Sequence, residues 1–99
     1  MEVERTAIDG VIIIKPDVHG DARGFFVETW QRDRYADMGI AMPFVQDNHS
    51  RSSRGILRGM HFQRKHPQGK LVHVSLGAIF DGVVDIRPQS PTFGQWTGV

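Results

Sequence analysis

Apolar residues in this chain come in short β-type runs, not in a helical rhythm. Val11-Ile12-Ile13-Ile14-Lys15 is a β-branched run between Gly10 and Pro16, which predicts a strand buried on both faces or paired at an interface. Residues 19–24, ending Asp21-Ala22-Arg23-Gly24, read as a turn, and residues 25–30 as a returning strand. Residues 31–38 predict one short helix, with Tyr35 and Met38 on one face and Gly39 as a left-handed stop. Residues 43–46 open an extended piece, and residues 47–53 are polar. Then comes Arg54-Gly55-Ile56-Leu57-Arg58-Gly59-Met60-His61-Phe62-Gln63, an apolar run interrupted by arginines, glycines and a histidine. After a polar loop over 64–69, residues 71–76 and 78–87 predict two more strands, with Asp81-Gly82 as an alternative hairpin turn. Residues 88–91 read as a loop, and Phe93-Gly94-Gln95-Trp96 begins a further extended piece.

Short strands with a single helix define an all-β protein, a sandwich or barrel of jelly-roll type. Such a roll needs about eight strands, more than the pattern supplies, so the expectation is one domain over residues 1–99 whose sheet is incomplete at the C-terminus.

Composition narrows the function classes. The chain has 99 residues, 39% hydrophobic and 23% charged, within the range of folded globular proteins and outside that of disordered ones. A net charge of +1 without a basic cluster argues against a nucleic-acid or membrane-surface partner. No cysteine is present, so disulfides and thiolate metal sites are excluded. The charged start, Met1-Glu2-Val3-Glu4-Arg5, and the lack of a long apolar run give no sign of a signal peptide or a spanning helix. The expected location is cytoplasmic.

The interrupted run at 54–63 is where chemistry is expected. Glycine inside a strand marks a bulge or a close backbone approach. Arginine grips phosphate with a planar fork of donors, and histidine exchanges protons near neutral pH. Together these features point to a site for a phosphorylated small molecule. In a regular strand Arg58 and His61 face opposite sides, so serving one ligand requires a bulge, which Gly59 permits.

Six blocks then add a resemblance. Arg23-Gly24-Phe25-Phe26-Val27-Glu28, Gln46-Asp47-Asn48-His49-Ser50, the run from Gly55 to Gln63, Gln68-Gly69-Lys70-Leu71-Val72, Val84-Asp85-Ile86-Arg87 and Ser90-Pro91-Thr92-Phe93-Gly94 occur in order. In that order and spacing the chain resembles the dTDP-4-dehydrorhamnose 3,5-epimerases, isomerases of cupin-type jelly-roll fold in dTDP-L-rhamnose biosynthesis. The resemblance covers the first half of the family's length, or slightly more. It implies a dTDP-4-keto-6-deoxyhexose substrate epimerised at C3 and C5, no cofactor, no metal, and a homodimer exchanging N-terminal strands, with residues 11–15 as the exchanged strand.

The resemblance also implies roles for residues that, taken singly, have ordinary structural readings. His61 is the base, Lys70 stabilises the enolate oxygen, and Arg23 and Arg58 hold the diphosphate or its neighbouring sugar. Glu28, Gln46, Asp47 and Asn48 bind the nucleotide. Phe26 either stacks on the thymine or packs in the core. The family's acid tyrosine and base-orienting aspartate lie in its later half, and Tyr35, the single tyrosine here, does not match that position. Asp85 and Arg87, two apart on one strand face, read as a structural pair in preference to outer support for the site. A metal-binding cupin is disfavoured because Gln63 stands where a second histidine ligand would follow His61. The alternatives left open are a nucleotide-sugar-binding fragment without turnover and a related 3-epimerase or ketoisomerase.

Overall fold

The structure, a computed structural model, describes every residue from Met1 to Val99. Six strands and one helix follow in the order β1 (Glu2–Arg5), β2 (Ile12–Lys15), β3 (Val18–Asp21), β4 (Gly24–Val27), α1 (Arg32–Asp37), β5 (Gly82–Val84) and β6 (Trp96–Gly98). The strands pair only as three antiparallel ribbons, β1 with β2, β3 with β4, and β5 with β6.

β1 was not anticipated, because its residues are mostly charged. Its alternation explains it: Val3 is the one half-buried position, and Glu2 and Glu4 point outward. Glu2 pairs in register with Lys15, whose ammonium lies 3.1 Å from Glu4 and 3.6 Å from Glu2. The loop between β1 and β2 is closed by Thr6, whose hydroxyl donates to the Val11 carbonyl at 2.8 Å and accepts from the Ile8 N–H at 3.2 Å.

Residues 19–24 are not a six-residue turn. His19, Gly20 and Asp21 lie in β3, and only Ala22 and Arg23 cross to β4, with Asp21 opposite Gly24. The Asp21 carboxylate accepts from the Arg23 N–H at 2.8 Å, and Gly24 takes φ +137°, a backbone state that favours glycine. The strand expected over 25–30 is correspondingly shorter, ending at Val27.

Helix α1 forms where it was expected. Gln31, in extended conformation, accepts a 2.6 Å bond from the Arg34 N–H and caps the first turn. At the other end the Ile40 N–H donates to the Tyr35 carbonyl and the Gly39 N–H to the Ala36 carbonyl, both at 2.9 Å. With Gly39 at φ +95°, that pair of bonds is a Schellman stop. Six residues are too few for a helix to persist unaided, and packing supplies the rest. Tyr35 is 2% exposed, meets Trp30 edge-on at 4.7 Å, and donates its hydroxyl to the Thr29 carbonyl at 2.9 Å. Trp30 in turn meets Phe44 at 4.9 Å.

The second anchor is Asp85, the one buried charged residue. One carboxylate oxygen accepts from the Arg87 N–H at 3.0 Å and from Arg87 Nε at 2.9 Å. The other accepts from Arg87 Nη2 at 2.9 Å and from the Ser90 and Thr92 hydroxyls at 2.5 and 2.6 Å. Arg87 also donates to the Asp9 carbonyl at 3.1 Å, tying the β1–β2 loop to the far end of the chain. This is the structural pair that the spacing of Asp85 and Arg87 suggests. β6 pairs back on β5, so the piece beginning at residue 93 does find a partner. The Asp81 and Val99 backbones exchange bonds at 2.9 and 3.1 Å, so Asp81-Gly82 is ladder and not turn.

The extended pieces expected at 43–46, 54–63 and 71–76 are not strands, and of 78–87 only Gly82–Val84 is. From Ala41 to Phe80 a single backbone bond forms, from the Ile56 N–H to the Ser53 carbonyl. A strand is defined by its partner, and these residues have none within the chain. The consequence is a large surface: 9125 Å² for 11.2 kDa, where a compact monomer of that mass shows about 5,700 Å². Val45, Leu57 and Leu76 are about nine-tenths exposed.

The Asp85 cluster gives a pH dependence. Hydrogen bonds from Arg87, then from Ser90 and Thr92, hold its carboxyl well below the ordinary value near 3.8. The folded state therefore binds that proton less readily than the unfolded state. The stabilisation is complete above the ordinary value and is lost as pH falls below about 4. Urea midpoints measured from pH 7 to pH 2 are expected to fall along this limb, and Asp85→Asn to lower the midpoint at pH 7 and flatten the limb.

Candidate functional site

The residues expected to form the site fall on three parts of the chain. Arg23 sits in the β3–β4 turn, where its guanidinium forks onto Asp21, with Nε 3.1 Å from Oδ2. That contact holds the Asp21 carboxyl below its usual range and reinforces the charge on Arg23. Phe26 lies on β4 opposite His19 and is 72% exposed. Glu28, just past β4, is half-buried. Arg34 of α1 grips its carboxylate with two bonds, Nε to Oε1 at 2.8 Å and Nη2 to Oε2 at 2.6 Å. Those bonds hold the Glu28 carboxyl below its ordinary value.

The second part is the polar stretch. Gln46 donates its amide to the Asn48 side chain at 3.1 Å, and Asp47 between them is exposed. The third is the interrupted run and the loop after it. Arg58 Nη2 donates to the Arg51 carbonyl at 3.0 Å and closes the 51–58 loop. Gly59 takes φ +123°, so the backbone leaves the regular extended state between Arg58 and His61. His61 and Lys70 are exposed and donate no hydrogen bond to another residue of the chain. The two are not linked to each other. No three histidine or acidic side chains converge as a metal-binding group.

Sequence reasoning missed Arg34. Glu28 and Arg34 are six apart across a strand end and a helix cap, a spacing with no local rule to flag it. It also missed Ser90 and Thr92 as partners of Asp85, although two hydroxyls close after an Asp-x-Arg unit are candidates for such a cluster.

The backbone path defines the class. Over 99% of its length the chain follows the crystal structure of a Legionella pneumophila dTDP-6-deoxy-D-glucose-3,5-epimerase in complex with dTDP-4-keto-L-rhamnose, with a TM-score of 0.94 and 55% identity. It follows a dTDP-4-dehydrorhamnose 3,5-epimerase from Bacillus anthracis, with TDP and pyrophosphate bound, at a TM-score of 0.93 and 41% identity, again over 99% of this chain. The fold class is therefore the all-β cupin-type jelly roll with one short helix. A family model described as dTDP-4-dehydrorhamnose 3,5-epimerase matches residues 5–99. A Methanothermobacter thermautotrophicus protein of that name is 55% identical over 96% of this chain. The chain belongs to the dTDP-4-dehydrorhamnose 3,5-epimerase family. It spans about half the length of the curated relatives it matches, 51% in the Methanothermobacter case, and 53% and 57% of the two crystallised chains.

The turn at Gly59 can be tested directly. A side chain there is strained by about 1–3 kcal/mol, although no atom crowds the position. Gly59→Ala is expected to lower the urea midpoint, and an unchanged midpoint would show that the positive φ at this position is not required.

Proposed function

We propose that this chain carries the base and the nucleotide-binding residues of a dTDP-4-dehydrorhamnose 3,5-epimerase, with residues 1–99 belonging to a single cupin-like domain. The reading rests above all on the near-coincidence of its backbone with an enzyme described in complex with dTDP-4-keto-L-rhamnose.

The chemistry follows from the ketone. A carbonyl at C4 of a 4-keto-6-deoxyhexose acidifies the C3 and C5 protons, because the electron pair left on carbon delocalises to oxygen as an enolate. His61 takes the proton as general base. The Lys70 ammonium stabilises the enolate oxygen, an interaction stronger in the transition state than in the ground state. Reprotonation from the opposite face inverts the centre, and no group is oxidised or lost. Arg23 and Arg58 hold the diphosphate with charge-assisted bonds. Glu28, Gln46, Asp47 and Asn48 bind the nucleotide, and the exposed ring of Phe26 stacks on thymine. The free state of His61 and Lys70 suits this reading, since neither must break a bond within the chain to meet substrate.

Solvent exchange tests the chemistry. In heavy water with dTDP-4-keto-6-deoxyglucose, deuterium is expected at C3 and C5 by NMR, with the rate falling about 10²-fold or more in His61→Ala and Lys70→Ala. Exchange at C3 alone would replace the reading with a 3-epimerase, and dTDP binding without exchange would leave a binding protein.

The proposed assembly is a homodimer exchanging the residue 11–15 strand, an arrangement favoured by the bare outer edges of the β1–β2 ribbon. Sedimentation of the protein is expected to give a dimer, and proline at Ile13 to dissociate it; a monomer at micromolar concentration would overturn this assembly.

A further inference from the structure

The contact between Arg34 and Glu28 differs from the other exposed ion pairs in how it is supported. Arg34 adjoins Tyr35, the residue with the lowest overall exposure. The Tyr35 hydroxyl donates to the carbonyl of Thr29, the residue after Glu28, and its ring packs on Trp30. Gln31 accepts a bond from the backbone of Arg34 itself. Helix α1 is thus fastened to residues 29–31 at three points before Arg34 reaches the Glu28 carboxylate with both prongs of its fork. Arg23 also forks onto Asp21, but across two positions of one turn; the Arg32–Asp33 pair lies between neighbouring residues, and Lys15 reaches Glu2 and Glu4 with a single ammonium. A guanidinium fork fixes the plane of a carboxylate, which a point charge does not.

This bears on the proposed ligand. A nucleoside diphosphate brings negative charge, and a bare carboxylate at its binding site repels it. A carboxylate already paired with a guanidinium keeps its acceptor oxygens and loses most of that repulsion. We propose that Arg34 is a positioning residue for the nucleotide, holding Glu28 in the orientation and charge balance in which it meets the dTDP group. The inference rests on the assignment of Glu28 to nucleotide binding made above.

Calorimetric binding of dTDP to the protein tests it, with Arg34→Ala, Arg34→Lys, Glu28→Gln and the Glu28→Gln/Arg34→Ala double variant. Arg34→Ala is expected to raise Kd about fivefold, the ceiling for an exposed pair, and Arg34→Lys to recover part of the loss. The effect should shrink in high salt. In turnover the loss should appear in KM rather than in kcat. In the Glu28→Gln background, removing Arg34 should add nothing. A Kd unchanged in Arg34→Ala, or an equal loss in the Glu28→Gln background, overturns the role of Arg34 while leaving the nucleotide reading intact. Parent protein that does not bind dTDP overturns that reading, and this inference with it.

Discussion

A buried carboxylate with five donors holds the two ends of this chain in one place. Asp85 takes both prongs of Arg87, the Arg87 backbone and two hydroxyls. Arg87 then reaches across 78 positions of sequence to the Asp9 carbonyl. An unpaired carboxylate could not remain at 1% exposure, and each donor offsets part of the cost of taking that charge from water. The backbone around it follows: the Asp85 N–H donates to Gln95 and its carbonyl accepts from Gly94, which brings β6 alongside β5. Ile8, one of three buried residues, lies in the loop that Arg87 grasps. One polar node therefore organises the first and last segments, where an ordinary domain of this size would rely on an apolar core.

The middle of the chain obeys a different constraint. Backbone donors and acceptors need partners or water, and residues 41–80 make one backbone–backbone bond among themselves. Their path is nonetheless that of the family, to a TM-score of 0.94. Pairing for these residues has to come from water or from another polypeptide strand. The exposed Val45, Leu57 and Leu76 are apolar side chains without a facing layer, which is the state of one sheet of a roll in the absence of its neighbour.

How much of this was legible in the sequence follows from the range of the interactions. The helix was readable because its signals are local: an apolar pair at i, i+3 and a glycine at the stop. Fold class was readable because short β-type runs recur without helical period, and the six ordered blocks carried the family. Strand pairing was not readable. The same apolar, β-branched pattern marks residues 71–76, which have no partner, and residues 12–15, which do, because pattern reports burial tendency and says nothing about which strand lies alongside. β1 escaped notice for the converse reason, since its pairing is supported by Glu2 and Glu4 facing Lys15 and by one apolar position. Within the candidate site, the blocks single out residue types suited to the chemistry, whereas the Arg34 contact depends on how a helix folds back on a strand end.

The candidate site residues divide by how they are held. Arg23, Glu28, Gln46 and Arg58 each carry a bond to a neighbour within seven positions, and His61 and Lys70 carry none. For a binding group a local partner limits the conformational entropy lost when ligand arrives. For the proposed base and enolate stabiliser the requirement is different. A neighbour bonded to the proton-accepting imidazole nitrogen or to the ammonium would compete with the proton or the oxyanion, whereas a partner on the other ring nitrogen would orient the base. On the proposed roles, the binding groups are restrained and the reacting ones are free before ligand arrives. The turn at Gly59 separates the two sets within a single run, with restrained Arg58 on one side and free His61 on the other.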